Sequence, residues 1–592
     1  MKQFFKFMFA SFVGTVLTIL VIFLLFAGMI ASLVAMSGDE EVKIKDHSIL
    51  HIVWNAEIKD RSSDNPMEGF DFATMQSKKP IGLYDILKNI EKASKDSRID
   101  GIFLDMETIP AGLATSEEIR NKLLEFKESG KFIVSYANGY DQKAYYLASL
   151  SDEIYLNAEG MILFKGLNAQ LMFFKGMLKK LDIDMQIVRG PNNKYKSAVE
   201  PLMLDHISEA NLEQMQTLLN SIWGKLITSI SDSRGISIDE LTAIANKLEL
   251  ATAQNAVDYK FVDGAVYRDE VISILKKKTG LKDDEKLNSV SFGKYINAKV
   301  ESTKGLKRNQ IAIVFAEGGI IQGKSDGDNM GSVTISNAIS KARKDKKVKA
   351  IVLRVNSPGG DALASEVIRR EVELAGNDMP IIVSMGNLAA SGGYWISTNA
   401  DYIFAQPTTI TGSIGVFGII PNFEGLLNNK LGINIDNVMT NENSDFIDVM
   451  KPLTPYQHAK LDDMVTKIYT DFTELVARTR KLDITYVDSI AKGRVWSGVD
   501  ALGLGLIDQF GGIEDAVAYA AEKAELGDDY RITTYPIRKE FLVQLMEELT
   551  GQTRQTIIKH ELGEYYTYYQ NIQTLKNMQG VQARVPFFIE VN

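Results

Sequence analysis

The sequence of 592 residues contains no cysteine. Disulfides, thiolate metal centres and a cysteine nucleophile are thereby excluded. A cell-envelope protein that avoids stray thiol chemistry fits such a chain. Histidine is scarce as well, with five residues, His47, His51, His206, His458 and His560. They are scattered and form no H-x-x-x-H pair, so neither a metal nor a cofactor is expected. Basic runs are also lacking: the net charge is −10 and no Lys/Arg cluster resembles a nucleic-acid footprint. Nucleic acid is set aside as a partner.

One long apolar run is present. Residues Phe7 to Met36 carry no charge, and the run exceeds the ~20 residues a helix needs to cross a bilayer. Lys2 and Lys6 precede it, and Asp39, Glu40 and Glu41 follow. The positive-inside bias places residues 1–6 in the cytoplasm, the span at 7–36, and the remainder outside. A cleaved signal peptide is the rival reading. The run is longer than an ordinary h-region of about 7–15 residues, so a retained single-pass anchor is expected. No later segment is apolar and long enough to span.

The body is written twice. "DSRIDGIFLDMETIPAGLATSEEI" (96–119) lies without a gap on "DKKVKAIVLRVNSPGGDALASEVI" (345–368), and "FIVSYANGYDQKAYYLASLSDEIYL" (132–156) lies at the same spacing on "IIVSMGNLAASGGYWISTNADYIFA" (381–405). "NAVDYKFVDG" (255–264) echoes "SGVDALGLGLID" (497–508). The expected organisation is a linker at 37–48, one copy at 49–300, a linker at 301–310, a second copy at 311–535, and a tail at 536–592 that includes the aromatic "EYYTYY" (564–569). Within a copy the pattern alternates. "KAIVLRVN" (349–356) reads as a strand, "DALASEVIRREVELA" (361–375) as a helix, "PIIVSMG" (380–386) as a strand, "SGGYWISTNA" (391–400) as the start of a helix, and "DYIFAQP" (401–407) as a strand. Repeated strand–helix–strand units predict an α/β fold with mainly parallel sheet. Ligands in such folds sit where strands hand over to helices. "NSPGG" (356–360) and "AASGG" (389–393) fall at such points.

Each motif has two readings. The glycines of "NSPGG" free the backbone to bind an oxyanion through N–H groups, or they make an ordinary turn. Ser391 is a helix N-cap or a nucleophile, and a nucleophile needs a base. The nearest histidine, His458, lies 67 residues on in a polar run and reads as a solvated helix face. A lysine serves if burial lowers its pKa. The repeat helps to choose. Ser391 falls on Gln142 of the first copy, and Gly359 and Gly360 fall on Pro110 and Ala111. Conversely, with "NKYKSAVEPL" (193–202) laid on "SDFIDVMKPL" (444–453), Lys196 falls on Ile447. A base lost from one copy and a nucleophile lost from the other predict a single site shared between the halves.

"RVNSPGG", "AASGGYWIS", "TGSIGVFG" and "YKSAVEP" together, in the family's order and spacing along the chain, resemble signal peptide peptidase A (protease IV) in its long, double-domain form. The resemblance covers the chain from the anchor to about residue 530. It implies two tandem ClpP/crotonase-like domains and a membrane-anchored, bowl-shaped homotetramer. It implies an inner (cytoplasmic) membrane with the catalytic body periplasmic. It also implies a serine endopeptidase that degrades cleaved signal peptides and other short or unfolded apolar peptides. The family's nucleophile falls on Ser391 and its base on Lys196. Oxyanion donors fall among Gly359, Gly360 and Gly392, and Ser413 is placed to orient the lysine. The cleft is expected to be lined by Leu388, Ala389 and Val416. The competing readings are a crotonase-like acyl-CoA hydratase or isomerase and a non-catalytic membrane scaffold.

Overall fold

The computed structural model describes residues 2–36, 43–62, 70–71, 76–77, 79–299, 307–537 and 580–584. Most of the expected linkers, and the "EYYTYY" run, lie outside these. An apolar helix spans Lys2–Met36, and its stretch Lys6–Leu24 is apolar and long enough to cross a membrane.

Two parallel sheets repeat one another strand by strand. The first runs in the order Gly264–Ala265, Glu153–Leu156, Phe132–Ala137, Ile99–Asp105, Ser48–Ile52, Ser289–Ser291. In the second, Gln509–Phe510, Tyr402–Ala405, Ile381–Ala390, Val348–Ser357, Asn309–Glu317 and Tyr530–Tyr535 neighbour one another in the same sequence. Their apolar runs are continuous because helices cover both faces.

Side-chain anchors repeat with the strands. Asp152 accepts from the Ile133 N–H and Asp401 from that of Ile381, each at 2.8 Å. Asp263 accepts from Ile154 at 2.7 Å and Asp508 from Ile403 at 2.8 Å. The Tyr145 hydroxyl donates to Phe261 O at 2.8 Å, and that of Tyr394 to Leu506 O at 2.9 Å. Two tandem α/β units of one design therefore follow the N-terminal helix.

The halves are fused through a buried seam. One face of the second sheet, with Ile311, Ile313, Val352 and Ile382, belongs to the core of the first half. Arg354 lies within the seam, fully buried. Its Nε donates to Asp60 at 2.7 Å, its Nη2 to Glu118 at 2.6 Å, and its Nη1 to Ser384 Oγ at 2.8 Å. Glu118 also accepts from the Ile513 N–H at 2.8 Å. Burial pushes the Glu118 carboxyl up to about 7, against the pull of Arg354.

Two local expectations differ. The strand read at 380–386 continues to Ala390, because Leu388, Ala389 and Ala390 find partners in Ile410, Thr411 and Gly412. The "SPGG" segment leaves one sheet and enters another: Gly359–Asp361 belongs to a third, mixed sheet. Its order is Asn329–Gly331, Gly319–Ile321, Gly359–Asp361, Gly580–Arg584, Phe417–Asn422, Asp184–Val188. The last strand comes from the first half, so this sheet also crosses the seam.

Candidate active site

The strand Ile381–Ala390 delivers Ser391 to the start of the short helix Gly392–Ser397. Ser391 holds φ +56° and ψ −114°, a conformation that is costly for a residue with a β-carbon. Its own N–H donates to Gly412 O, and its carbonyl accepts from the Trp395 N–H, each at 2.8 Å. The hydroxyl makes no capping hydrogen bond, so the N-cap reading fails for the side chain.

The glycines that follow are required by close approach. A β-carbon on Gly392 would lie 2.6 Å from Ser365 Oγ and 3.1 Å from the Gly359 Cα, and one on Gly393 would lie 2.7 Å from Ser357 O. Gly359 has φ +91°, and a β-carbon there would sit 2.7 Å from the Gly392 nitrogen. The two glycine motifs thus pack directly against each other. The Gly359 N–H donates to Ser357 Oγ at 3.1 Å, and that hydroxyl donates to Gly318 O at 2.7 Å. Gly360 is a sheet residue paired with Ile320 and Ala583. The Gly392 N–H belongs to the first residue of its helix, where no intrahelical acceptor exists.

Lys196 comes from the first half, on a loop entering the helical turn Ser197–Val199. Its Nζ lies 2.8 Å from Ser391 Oγ, 3.0 Å from Ser413 O and 3.0 Å from Ser413 Oγ. Ser413 Oγ in turn donates to Gly493 O at 3.3 Å. Lys196, Ser391 and Ser413 are all fully buried. Burial alone pushes the Lys196 amine well below the ordinary lysine range, because a charge without water or a counterion is disfavoured. His458, on the helix Pro455–Arg480, is exposed and plays no part.

The first-half counterpart is filled in. Gln142 is buried, and its Oε1 accepts from the N–H groups of Lys165 and Gly166 at 3.2 and 3.0 Å. Ile447, opposite Lys196 in the repeat, is exposed. Of the expected cleft residues, Ala389 and Val416 are buried and Leu388 is partly exposed.

Sequence reasoning missed two neighbours. Gly493 packs on the lysine stem: a β-carbon there would lie 2.5 Å from Lys196 Cβ, and its φ is +81°. The tail strand Gly580–Arg584 lies between Gly359–Asp361 and Phe417–Asn422, antiparallel to both. Gly493 reads as an ordinary loop glycine in "AKGRVW", and five residues of "GVQAR" carry no periodic signal.

The sequence profile of peptidase family S49 matches the chain twice, over residues 125–282 and 373–527. The first match contains Lys196 and the second Ser391. Protease 4 of Haemophilus influenzae is 37% identical over 489 residues, covering 80% of this chain and 78% of that protein. Protease 4 of Salmonella typhi is 37% identical over 486 residues, covering 80% and 76%. The chloroplastic serine protease SPPA of Arabidopsis thaliana is 33% identical over 513 residues, covering 85% and 74%.

Proposed function

Because the chain belongs to peptidase family S49 and is a serine endopeptidase, we propose that Ser391 is its nucleophile and Lys196 its general base. The observation that carries this is the 2.8 Å approach of Lys196 Nζ to Ser391 Oγ in a fully buried setting. A neutral amine has two N–H donors and one lone pair. Ser413 O and Ser413 Oγ accept the two donors, which leaves the lone pair for the Ser391 proton. Ser413 is therefore the residue that orients the base.

Ser391 Oγ attacks the peptide carbonyl as Lys196 takes its proton. The oxyanion forms against the Gly392 N–H, beside the closely packed Gly359–Gly360 segment, where a fixed donor needs no reorganisation. Lys196, now charged, protonates the leaving amine, and the C–N bond breaks. Water then enters, gives its proton to Lys196 and hydrolyses the acyl ester.

The same reading extends to setting. The helix Lys2–Met36 anchors the chain in a bacterial inner membrane, with the body on the periplasmic side. Four copies form a bowl that admits short or unfolded apolar peptides, including spent signal peptides. The test is active-site labelling of the detergent-solubilised full chain with a fluorophosphonate, beside cleavage of a synthetic signal peptide. Labelling and cleavage are expected in the native chain and lost together in Ser391→Ala. Cleavage that survives in Ser391→Ala refutes the assignment.

A further inference from the structure

Gln214 lies behind the lysine loop, on the first-half helix Glu209–Arg234, and its side chain is buried. Its amide nitrogen donates to Tyr195 O and to Ser197 Oγ, each at 3.0 Å. These residues flank Lys196 on either side. Asn211 Oδ1, at 2.9 Å, is a further acceptor, so the two N–H bonds of the amide are shared among three oxygens. The amide oxygen accepts from the Val495 N–H at 3.3 Å. A backbone carbonyl at one end and a backbone N–H at the other fix which way the amide points.

Val495 belongs to the second half, and its strand holds the other two members of the site. Val495 pairs with Gly412, whose carbonyl accepts from the Ser391 N–H at 2.8 Å. The Arg494 carbonyl accepts from the Ser413 N–H at 2.7 Å. One side chain therefore touches both flanks of the base and the strand that anchors the nucleophile and Ser413. The amide is held from behind in turn. Asn211 Nδ2 donates to Glu200 Oε2 at 2.9 Å, and Glu200 Oε1 accepts from Ser208 Oγ at 2.5 Å. Gln214, Asn211 and Glu200 are all buried, where losing one partner of such a network is costly.

Resting on the Ser391 and Lys196 reading, we propose that Gln214 is a positioning residue that sets the distance between the base and the nucleophile. It hydrogen-bonds to neither reacting atom. It acts by tying Tyr195 and Ser197 to the Val495 strand, so that the lysine stem between them holds its place. Cutting the tie lets the loop move, draws Nζ away from Ser391 Oγ and admits water to the amine. A wetter amine keeps its proton to higher pH. The partners of Gln214 lie on the lysine loop and behind it, not on the glycine motifs, so the effect falls on kcat rather than KM.

The full chain is compared with Gln214→Met, which keeps the volume and removes the hydrogen bonds. A second variant, Gln214→Asn, keeps the amide but is one methylene too short to span loop and strand. Leu218→Ala, in the core face of the same helix, controls for lost stability. Peptide cleavage is measured across pH and expressed per folded chain, with folding followed by thermal unfolding. Expected for both Gln214 variants is a fall in kcat of ~10- to 100-fold with KM little changed, and a rising limb of kcat/KM displaced to higher pH. Leu218→Ala is expected to lower Tm and to leave kcat and the limb in place. Gln214 variants with native kcat, or with the limb at its native pH, overturn the proposal. So does a Leu218→Ala variant that reproduces their displaced limb. Should Gln214→Met fail to fold, Gln214→Asn decides the matter alone. Lys196→Met, assayed in parallel, separates the two readings. If it is inactive while the Gln214 variants keep the native profile, the positioning role fails and the catalytic assignment stands. If Lys196→Met still cleaves the peptide, the assignment fails and the positioning role with it.

Discussion

Lys196 and Ser391 are 195 residues apart in sequence and 2.8 Å apart in space, and neither is reached by water. A buried amine hydrogen-bonded to Ser391 Oγ, Ser413 Oγ and Ser413 O has consequences that can be measured.

The first is pH dependence. In the proposed mechanism Lys196 acts as a base only when neutral. Its pKa is lowered by burial, so kcat/KM is expected to rise with pH and reach its plateau well below the ordinary lysine value of ~10.4. A pH–rate profile on a peptide without titrating groups measures this. Lys196→Met should abolish both the activity and the ionisation.

The same variant tests stability. With the folded pKa below the unfolded one, the unfolded chain binds the extra proton between the two values. Stability is therefore full above ~10.4 and falls as pH drops towards the depressed folded value. Lys196→Met removes this penalty and is expected to raise Tm at neutral pH while eliminating turnover. Thermal unfolding of the two proteins across pH decides the matter.

Ser413→Ala removes one of the two acceptors that fix the amine. A neutral hydrogen bond contributes about 1 kcal/mol, and about 1.4 kcal/mol corresponds to tenfold in rate. A fall in kcat of roughly fivefold with KM little changed is expected, and steady-state kinetics would read it directly.

Gly493→Ala acts by crowding. The new methyl would stand 2.5 Å from Lys196 Cβ at a φ of +81°, so the lysine stem must shift. A misplacement of about 1 Å costs on the order of 100-fold in rate. Fluorophosphonate labelling of Gly493→Ala should slow accordingly, whereas Ser391 stays in place.

Arg354→Met would leave Asp60 and Glu118 buried without their cation. Removing one partner of a buried ion pair costs about 3–5 kcal/mol. A large drop in Tm is expected, and Arg354→Met combined with Glu118→Gln should recover part of it.

The duplication was legible because parallel strands and their anchors must recur together. Asp152 and Asp401 hold the same position in two sheets. The candidate dyad was legible from an asymmetry: each copy lacks the residue that the other retains, as Gln142 and Ile447 record. Arg354 was not, since within "IVLRVN" it reads as one polar residue in a strand, and its carboxylates lie in a different half. Gly493 and the Gly580–Arg584 strand escaped for a related reason. Each is defined by what it touches, and no local propensity reports a contact with a lysine stem or a distant sheet edge.

In the proposed mechanism, the division of the reactive pair between two halves also governs when proteolysis begins. During synthesis Lys196 is made first and, without the second half to bury it, stays an ordinary charged lysine. Ser391 follows much later, as an ordinary hydroxyl until its half docks on the first across the Arg354 seam. On that reading hydrolysis is licensed by completed folding, and the two halves act as separate keys to one lock.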